Sequence, residues 1–378
     1  MRKILIFCTR SLCYFSGEFF ARELAEIFQN KGDHVETVLL PDEPGSTASS
    51  RDLSQFGILE TYIGKKYDAV IDFNSFLPYL SDDDGTPILD EIDAPFYNYL
   101  LDHPLYHHPG LSYKLKNYNV ICIDKRHAEY VRKYYPHIKK ILYQPLPGAK
   151  YVGNMNPSDR LFFSGTFMPE NELLLELKRR PDAIQKMVLE LAKLWNPEKQ
   201  TIEDSVIEYL DRLSSFDRDH IFLSIGEKNF PLLMNHLYSL DRIVRYRMRK
   251  KVISTLAEAG IELDIQGEGW DKCYISTKDR PSESQDGKEI SVLSLPNVHY
   301  IPPAPMEASI EEIARHKYIL DINPLFFEGV HDRVSTAFVN GCTVYSNMNP
   351  DTVPEEYMGQ FHHYSAYEPD SLIACIEN

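Results

Sequence analysis

In the first 150 residues short apolar runs alternate with amphipathic ones. Ile4 to Cys8 predicts a buried strand. Residues 18–30, with Phe19, Leu24, Ile27 and Phe28 at helical spacing, predict a helix, and His34 to Leu40, closed by Pro41, a second strand. Tyr67 to Phe73, Pro95 to Leu101 and Val120 to Ile123 continue the strand series, with helical patterns at 53–66 and 126–135 between them. Strand, helix, strand at this spacing predicts a parallel sheet with helices on its faces.

Around 144–158 the chain reads QPLPGAKYVGNMNPS, and this Pro-, Gly- and Asn-rich stretch predicts a linker. Leu161 to Ser164 then opens a second half whose residues 170–258 are almost wholly helical in pattern. Alternation returns at Glu262 to Gln266, Val298 to Ile301, Tyr318 to Ile322 and Thr343 to Ser346, with a helix at 309–316. The expectation is two doubly wound α/β domains, 1–150 and 151–378, the second with a helical block at about 170–258. Ligands of such folds bind at the carboxyl ends of the strands, here in a cleft between the two domains.

Length agrees, since 378 residues exceed one ordinary core and suit two domains of about 150 to 200 residues. A formal charge of -16 argues against a nucleic-acid binder, because phosphate backbones are held by net basic surfaces. Six cysteines at 8, 13, 122, 273, 342 and 375 form no CxxC pair, which predicts packing thiols in a reducing compartment. The apolar run after Met1-Arg2-Lys3 is too short for a signal peptide, and no window reaches the roughly 18 apolar residues of a membrane span. A cytoplasmic protein is expected. Six acidic residues in 81–93 lack fixed ligand spacing and read as a solvated loop, so no metal is expected.

The stretch 326–341, FFEGVHDRVSTAFVNG, places a polar turn directly before a short apolar helix starting near Asp332 and ending at Gly341. A loop leaving a strand and feeding a helix N-terminus is an anion site, since unbonded amides and the helix dipole point at the ligand. Arg333 in the first turn is unfavourable there by a few tenths to about 1 kcal/mol, and a bound anion would relieve it. A surface arginine paired with Asp332 or Glu328 is the other reading.

The run E-G-x(6)-T-A-F-V-N-G-C-T-V resembles the signature of nucleotide-sugar glycosyltransferases of the GT-B fold. There a Glu-Gly loop is followed, seven residues on, by a second Glu that opens a helix. The order upstream is similar too: Ile265-Gln266-Gly267-Glu268-Gly269-Trp270, then Pro296 to Tyr300, a helix, and Tyr318 to Asn323. The resemblance covers about residues 260–346, and HDRVSTAFVNG is similar to a bacterial subgroup of the spore-maturation type. It implies a GT-B architecture, an acceptor-side first domain and a donor-side second, and a nucleoside diphosphate sugar, UDP-linked, as donor with no further cofactor. Arg333 would lie by the diphosphate, with His331, Ser335 and Asn323 as neighbouring donors and Glu328 near the sugar. Thr336 stands where the family's second Glu takes the ribose diol, and one hydroxyl cannot accept both ribose hydroxyls. Asn323 as a turn former, Ser335 as a helix-start residue and Thr336 as packing are the alternatives.

Gly267 and Gly269 let the chain either approach a ligand or turn a corner, and Trp270 either covers the nucleotide or fills core. In LLDHPLYHHPG, residues 100–110, Asp102, His103, His107 and His108 follow an apolar strand. Pro104 and Pro109 disfavour the long helix a metal pair would need. His103 is the candidate general base, with Asp102 as its orienter, against a satisfied structural histidine. The loop from Thr9 to Gly17 occupies the place of a phosphate-proximal turn but is poor in glycine.

Two basic stretches stand against the acidic whole. Residues 111–150 carry nine Lys or Arg against two acids, with six tyrosines, and Arg242 to Lys251 read RIVRYRMRKK. Either could attract an anionic acceptor at a membrane surface or be a solvated helix face. The reading is a metal-independent hexosyltransferase using a nucleotide sugar and an unidentified acceptor, closing about 144–158. The alternatives are a degenerate, non-catalytic nucleotide- or glycan-binding scaffold and a nucleotide-sugar epimerase.

Overall fold

The computed structural model describes residues 1–9, 16–40, 53–82, 84–276, 289–323 and 325–377. The chain forms two compact units, Met1–Pro145 with Pro305–Glu307, and Leu146–Ala304 with Ala308–Asn378.

The first unit holds β1 (Lys3–Thr9), β2 (His34–Leu40), β3 (Ala69–Phe73), β4 (Phe96–Leu100), β5 (Tyr118–Cys122) and β6 (Lys140–Tyr143). They form one parallel sheet in the order β2-β1-β3-β4-β5-β6. β1 is buried on both faces, which is why it reads as a continuous apolar run rather than an alternating one. The predicted helix is Ser16–Asn30, and 126–135 appears as Lys125–Tyr134, capped by Asp124, whose Oδ1 accepts from the amides of Arg126 and His127. The pattern at 53–66 yields a 3-10 helix, Leu53–Tyr62. In the acidic stretch 81–93, Asp82 Oδ1 accepts from the amides of Asp84 and Thr86, forming a turn. The strand β6 was not foreseen, because its apolar run, Ile141 to Tyr143, is only three residues long and follows two lysines. The greater part of the Thr9 to Gly17 loop, with Cys13, lies outside the described residues, as do Asp83 and Pro324.

The second unit is built on β7 (Ser158–Ser164), β8 (Leu263–Gln266), β11 (Val298–Ile301), β12 (His316–Asp321), β13 (Thr343–Ser346) and β14 (Phe361–His363), in the parallel order β11-β8-β7-β12-β13-β14. An antiparallel pair, β9 (Tyr274–Ser276) with β10 (Glu289–Ser291), lies outside that sheet. Between β7 and β8 the chain runs through six helices, ending with Tyr238–Glu258. Two doubly wound sheets with a helical block early in the second are the architecture the periodicity predicts. Helix Asp332–Val339 is fixed on the sheet by Val334, Ala337 and Phe338, which pack with Phe162, Ile319 and Val344 from β7, β12 and β13. That i, i+3, i+4 stripe sets which way its polar residues face.

Candidate functional site

The second unit gathers polar groups at the carboxyl ends of its central strands. β7 ends at Ser164 and runs into Gly165-Thr166-Phe167, while β8 ends at Gln266 and runs into Gly267-Glu268-Gly269. The two segments stay paired beyond the strands, with Gly165 N donating to Gln266 O and Phe167 N to Glu268 O, both at 2.8 Å. Gly267 and Gly269 have φ of 136° and 80°, and an added Cβ would lie 2.4 Å from Gly165 O and 2.0 Å from Phe167 O respectively. Of the two readings for these glycines, the close approach is real, but it is to the chain's own backbone. Trp270 is fully buried, stacks on Phe167 at 5.2 Å and donates from Nε1 to Gly165 O at 2.7 Å, so it is a core residue supporting this loop pair.

Two guanidinium groups meet above β7. Arg333 lies over the Phe163 ring at 6.0 Å from its centroid, and its Nη1 is buried without a hydrogen-bond partner among the described residues. Arg249, from helix Tyr238–Glu258, lies over the same ring at 5.8 Å. Only 4% of Arg249 is exposed. Its Nη1 donates to Thr166 O at 2.6 Å, while its Nε has no partner among the described residues. Burial, together with the neighbouring Arg245 and Arg333, pushes its pKa down to about 9. Arg245 is matched by Asp241 in an ion pair, but among the described residues the hydrogen bonds of Arg249 go to Thr166 alone. Such a buried cation is expensive unless an anion compensates it.

The start of helix Asp332–Val339 is partly occupied by the chain itself. His331 is the N-cap, with Nδ1 3.3 Å from Arg333 N, and the same nitrogen is 2.7 Å from Asp332 Oδ1. One nitrogen cannot both accept from the amide and donate to the carboxylate, so the proton position selects the partner. Burial by itself would raise the Asp332 pKa, but His331 and Arg333 hold it down at about 2. The buried polar groups left unbonded here are therefore on arginine side chains rather than in the row of amides the sequence suggested.

Thr336 is 1% exposed, and its Oγ1 accepts from Ala149 N at 3.2 Å. Asn340 clasps the same strap, its Nδ2 donating to Ala149 O at 2.8 Å and its Oδ1 accepting from Tyr151 N at 2.9 Å. Gly148 passes so close that a Cβ there would be 2.2 Å from Ser335 O. The predicted linker is thus bound to this helix, and Thr336 faces it as a packing residue. Asn323 is a turn former: its Nδ2 donates to Phe326 O and its N to Asn347 Oδ1, both at 2.6 Å. Ser335, half-buried, donates its N to His331 O, and Glu328 is half-buried in the bend before the helix.

In the first unit the carboxyl end of β4 leads to Asp102 and His103. Asp102 Oδ2 accepts from Asn74 Nδ2 at 2.8 Å rather than bonding His103. Asn74, with φ of 44°, is held in the left-handed region, and its Oδ1 accepts from Leu101 N. His103 is 3% exposed, its Nδ1 accepting from Leu105 N at 3.1 Å and its ring edge-on to His127 at 4.6 Å. Burial drives the His107 pKa down to about 4 against the pull of Asp102. Beneath them, Asp72 is fully buried at the end of β3, and burial raises its pKa to about 7. The expected His103–Asp102 pairing is not how these side chains are arranged.

Arg249 was not singled out from the sequence. Its signal was available: within RIVRYRMRKK it occupies the buried face four and seven residues before Ile253 and Leu256. Most of the other cations of that run bond inside the unit, Arg242 on Glu176, Arg247 on Glu170 and Lys251 on Tyr367 O, while Lys250 is exposed.

No protein-family model matches the chain, and no curated protein matches it. Solved structures do. An alpha-glucosyltransferase in complex with UDP and a 13-mer DNA containing a HMU base superposes with TM-score 0.52 at 11% identity, over 100% of this chain and 90% of its own. The E. coli heptosyltransferase WaaC with ADP gives 0.37 at 10% identity, over 99% of both chains, and with ADP-2-deoxy-2-fluoro heptose 0.38 at 11%, again over 99% of both. The first likeness, with the two six-stranded parallel sheets, establishes the two-domain Rossmann-like α/β fold of GT-B type.

Proposed function

We propose that this chain transfers a hexosyl group from a UDP-linked sugar to the hydroxyl of a glycan, lipid-linked glycan or protein acceptor. The second unit would bind the donor and the first the acceptor. The observation that carries the reading is the pair Arg333 and Arg249, two guanidiniums over one ring with unbonded buried N–H groups, which suits a pyrophosphate. The glucosyltransferase that shares the fold was solved with UDP, which supports this nucleotide. The stretch HDRVSTAFVNG supports placement in the spore-maturation-type subgroup.

As the bond from the anomeric carbon to the diphosphate oxygen breaks, negative charge develops on the leaving group, and two preplaced arginines stabilise it where a divalent cation would otherwise serve. The acceptor oxygen forms the new bond and loses its proton to a first-unit side chain. Asp102, half-buried, is more accessible for that than the enclosed His103, which positions the loop through Leu105 N. His331, the N-cap beside Arg333, would be a neighbouring donor to the diphosphate, and Glu328, in the bend before the helix, would lie near the sugar.

The burial of Thr336 under Ala149 favours a second reading, a nucleotide-binding scaffold without turnover, since that helix offers the ribose no carboxylate. Thermal unfolding and UDP release, measured over a panel of nucleotide sugars, decide between them. UDP and one UDP-hexose should raise the midpoint of wild type and not of Arg333→Ala, with UDP released in step with transfer. Stabilisation without turnover on any donor and acceptor would favour the scaffold, and no shift with any nucleotide would overturn both.

A further inference from the structure

We propose that the β6 edge of the first unit, together with helix Lys125–Tyr134, docks on an anionic lipid surface. β6 is the outer strand of its sheet. Lys125, Arg132, Lys139 and Lys140 are exposed along it and the adjoining helix, in a stretch with nine cationic and two acidic residues within a chain of net charge -16. Lysines alone would have a simpler explanation, because charge on an edge strand discourages pairing with other chains.

Leu142 and Tyr143 do not share that explanation. They are 45% and 37% exposed on the same short strand, with Lys125 Nζ over the Tyr143 ring at 5.6 Å. An exposed aliphatic side chain two residues along the strand from Lys140 gains nothing from a nucleic-acid backbone. At a bilayer interface it enters the acyl boundary, while tyrosine lies at headgroup level and lysines meet the anionic headgroups. The basic residues lie within a screening length of about 8 Å of that surface, so the acidic remainder of the chain opposes contact only weakly. No helix among the described residues is long and apolar enough to cross a membrane, so this contact would be peripheral. The inference does not depend on the proposed activity.

The test is co-sedimentation of the full chain with phosphatidylcholine vesicles, with and without phosphatidylserine. Binding is expected only with phosphatidylserine, weakening as salt is raised. The double variant Lys139→Glu, Lys140→Glu should lower it by roughly tenfold or more, since each cation near such a surface is worth about fivefold. Leu142→Ser with Tyr143→Ser should also weaken it, while both variants keep the wild-type unfolding midpoint. The proposal is overturned by absence of sedimentation, by equal binding to neutral vesicles, or by charge-reversed protein binding as wild type. It is also overturned if the Leu142/Tyr143 variant binds normally and RNA competes with vesicles, which would mark a general polyanion site.

Discussion

A guanidinium left 4% exposed with hydrogen bonds, among the described residues, to Thr166 alone is the least expected residue of this fold. On the proposed reading Arg249 costs the protein stability until an anion binds, so Arg249→Met should separate the two effects. Its UDP affinity is expected to fall by about 1.5–3 kcal/mol, the usual worth of charged hydrogen bonds. Its unfolding midpoint without ligand should stay level or rise, because a buried unpaired charge has been replaced by an apolar side chain. Titration calorimetry and thermal unfolding on one sample check both. Asp332 behaves oppositely. Its folded pKa of about 2 lies below the ordinary 3.8, so its contribution is fully present above about pH 4 and is lost as pH falls toward 2. Asp332→Asn should cost about 2 kcal/mol at pH 7 and flatten that acid limb of the stability profile, read by urea titrations across pH. His331 and Asp332 were legible as helix-start residues, since capping chemistry is local. Arg249 was not, because its partners Thr166 and Phe163 are more than 80 residues away in the chain.

Helix Asp332–Val339 works as an element because both its faces are committed. One packs Val334, Ala337 and Phe338 on the sheet, and Phe338→Ala should cost about 3–5 kcal/mol, as large-to-small core changes do, measured in denaturant. The other carries the 148–151 strap through Thr336 and Asn340. Gly148→Ala would force Ser335 O away from a Cβ otherwise 2.2 Å distant, so it should destabilise by about 1–3 kcal/mol and loosen the helix that presents Arg333. Weaker UDP binding together with the stability loss is the expected outcome. The apolar stripe of this helix was readable from its spacing, and so was its start. That Thr336 turns to Ala149, nearly 190 residues earlier, was not, because a hydroxyl on a helix has no sequence mark for the partner it finds.

At the scale of the molecule, two units with separate cores should unfold in separable steps, and ligand binding stabilises only the unit that binds it. UDP at a hundred times its dissociation constant should raise the transition of the second unit by about 2.7 kcal/mol and leave the first in place, visible by calorimetry. A shift in the first transition alone would place the nucleotide in the other unit. The sequence by itself determined the parallel sheets, the helical block after β7 and the short helix at Asp332, because periodicity and caps act over a few residues. It did not show the edge strand β6, most of which is exposed, and it left Trp270 and Thr336 each between a ligand-binding and a packing reading. The ion pair of Arg245 with Asp241 is an i, i+4 pair within one helix and was open to the sequence. Tertiary structure alone decided that Arg249 is buried beside Arg333 with unbonded N–H groups, because that depends on what the fold brings within a few ångströms, and no spacing along the chain encodes it.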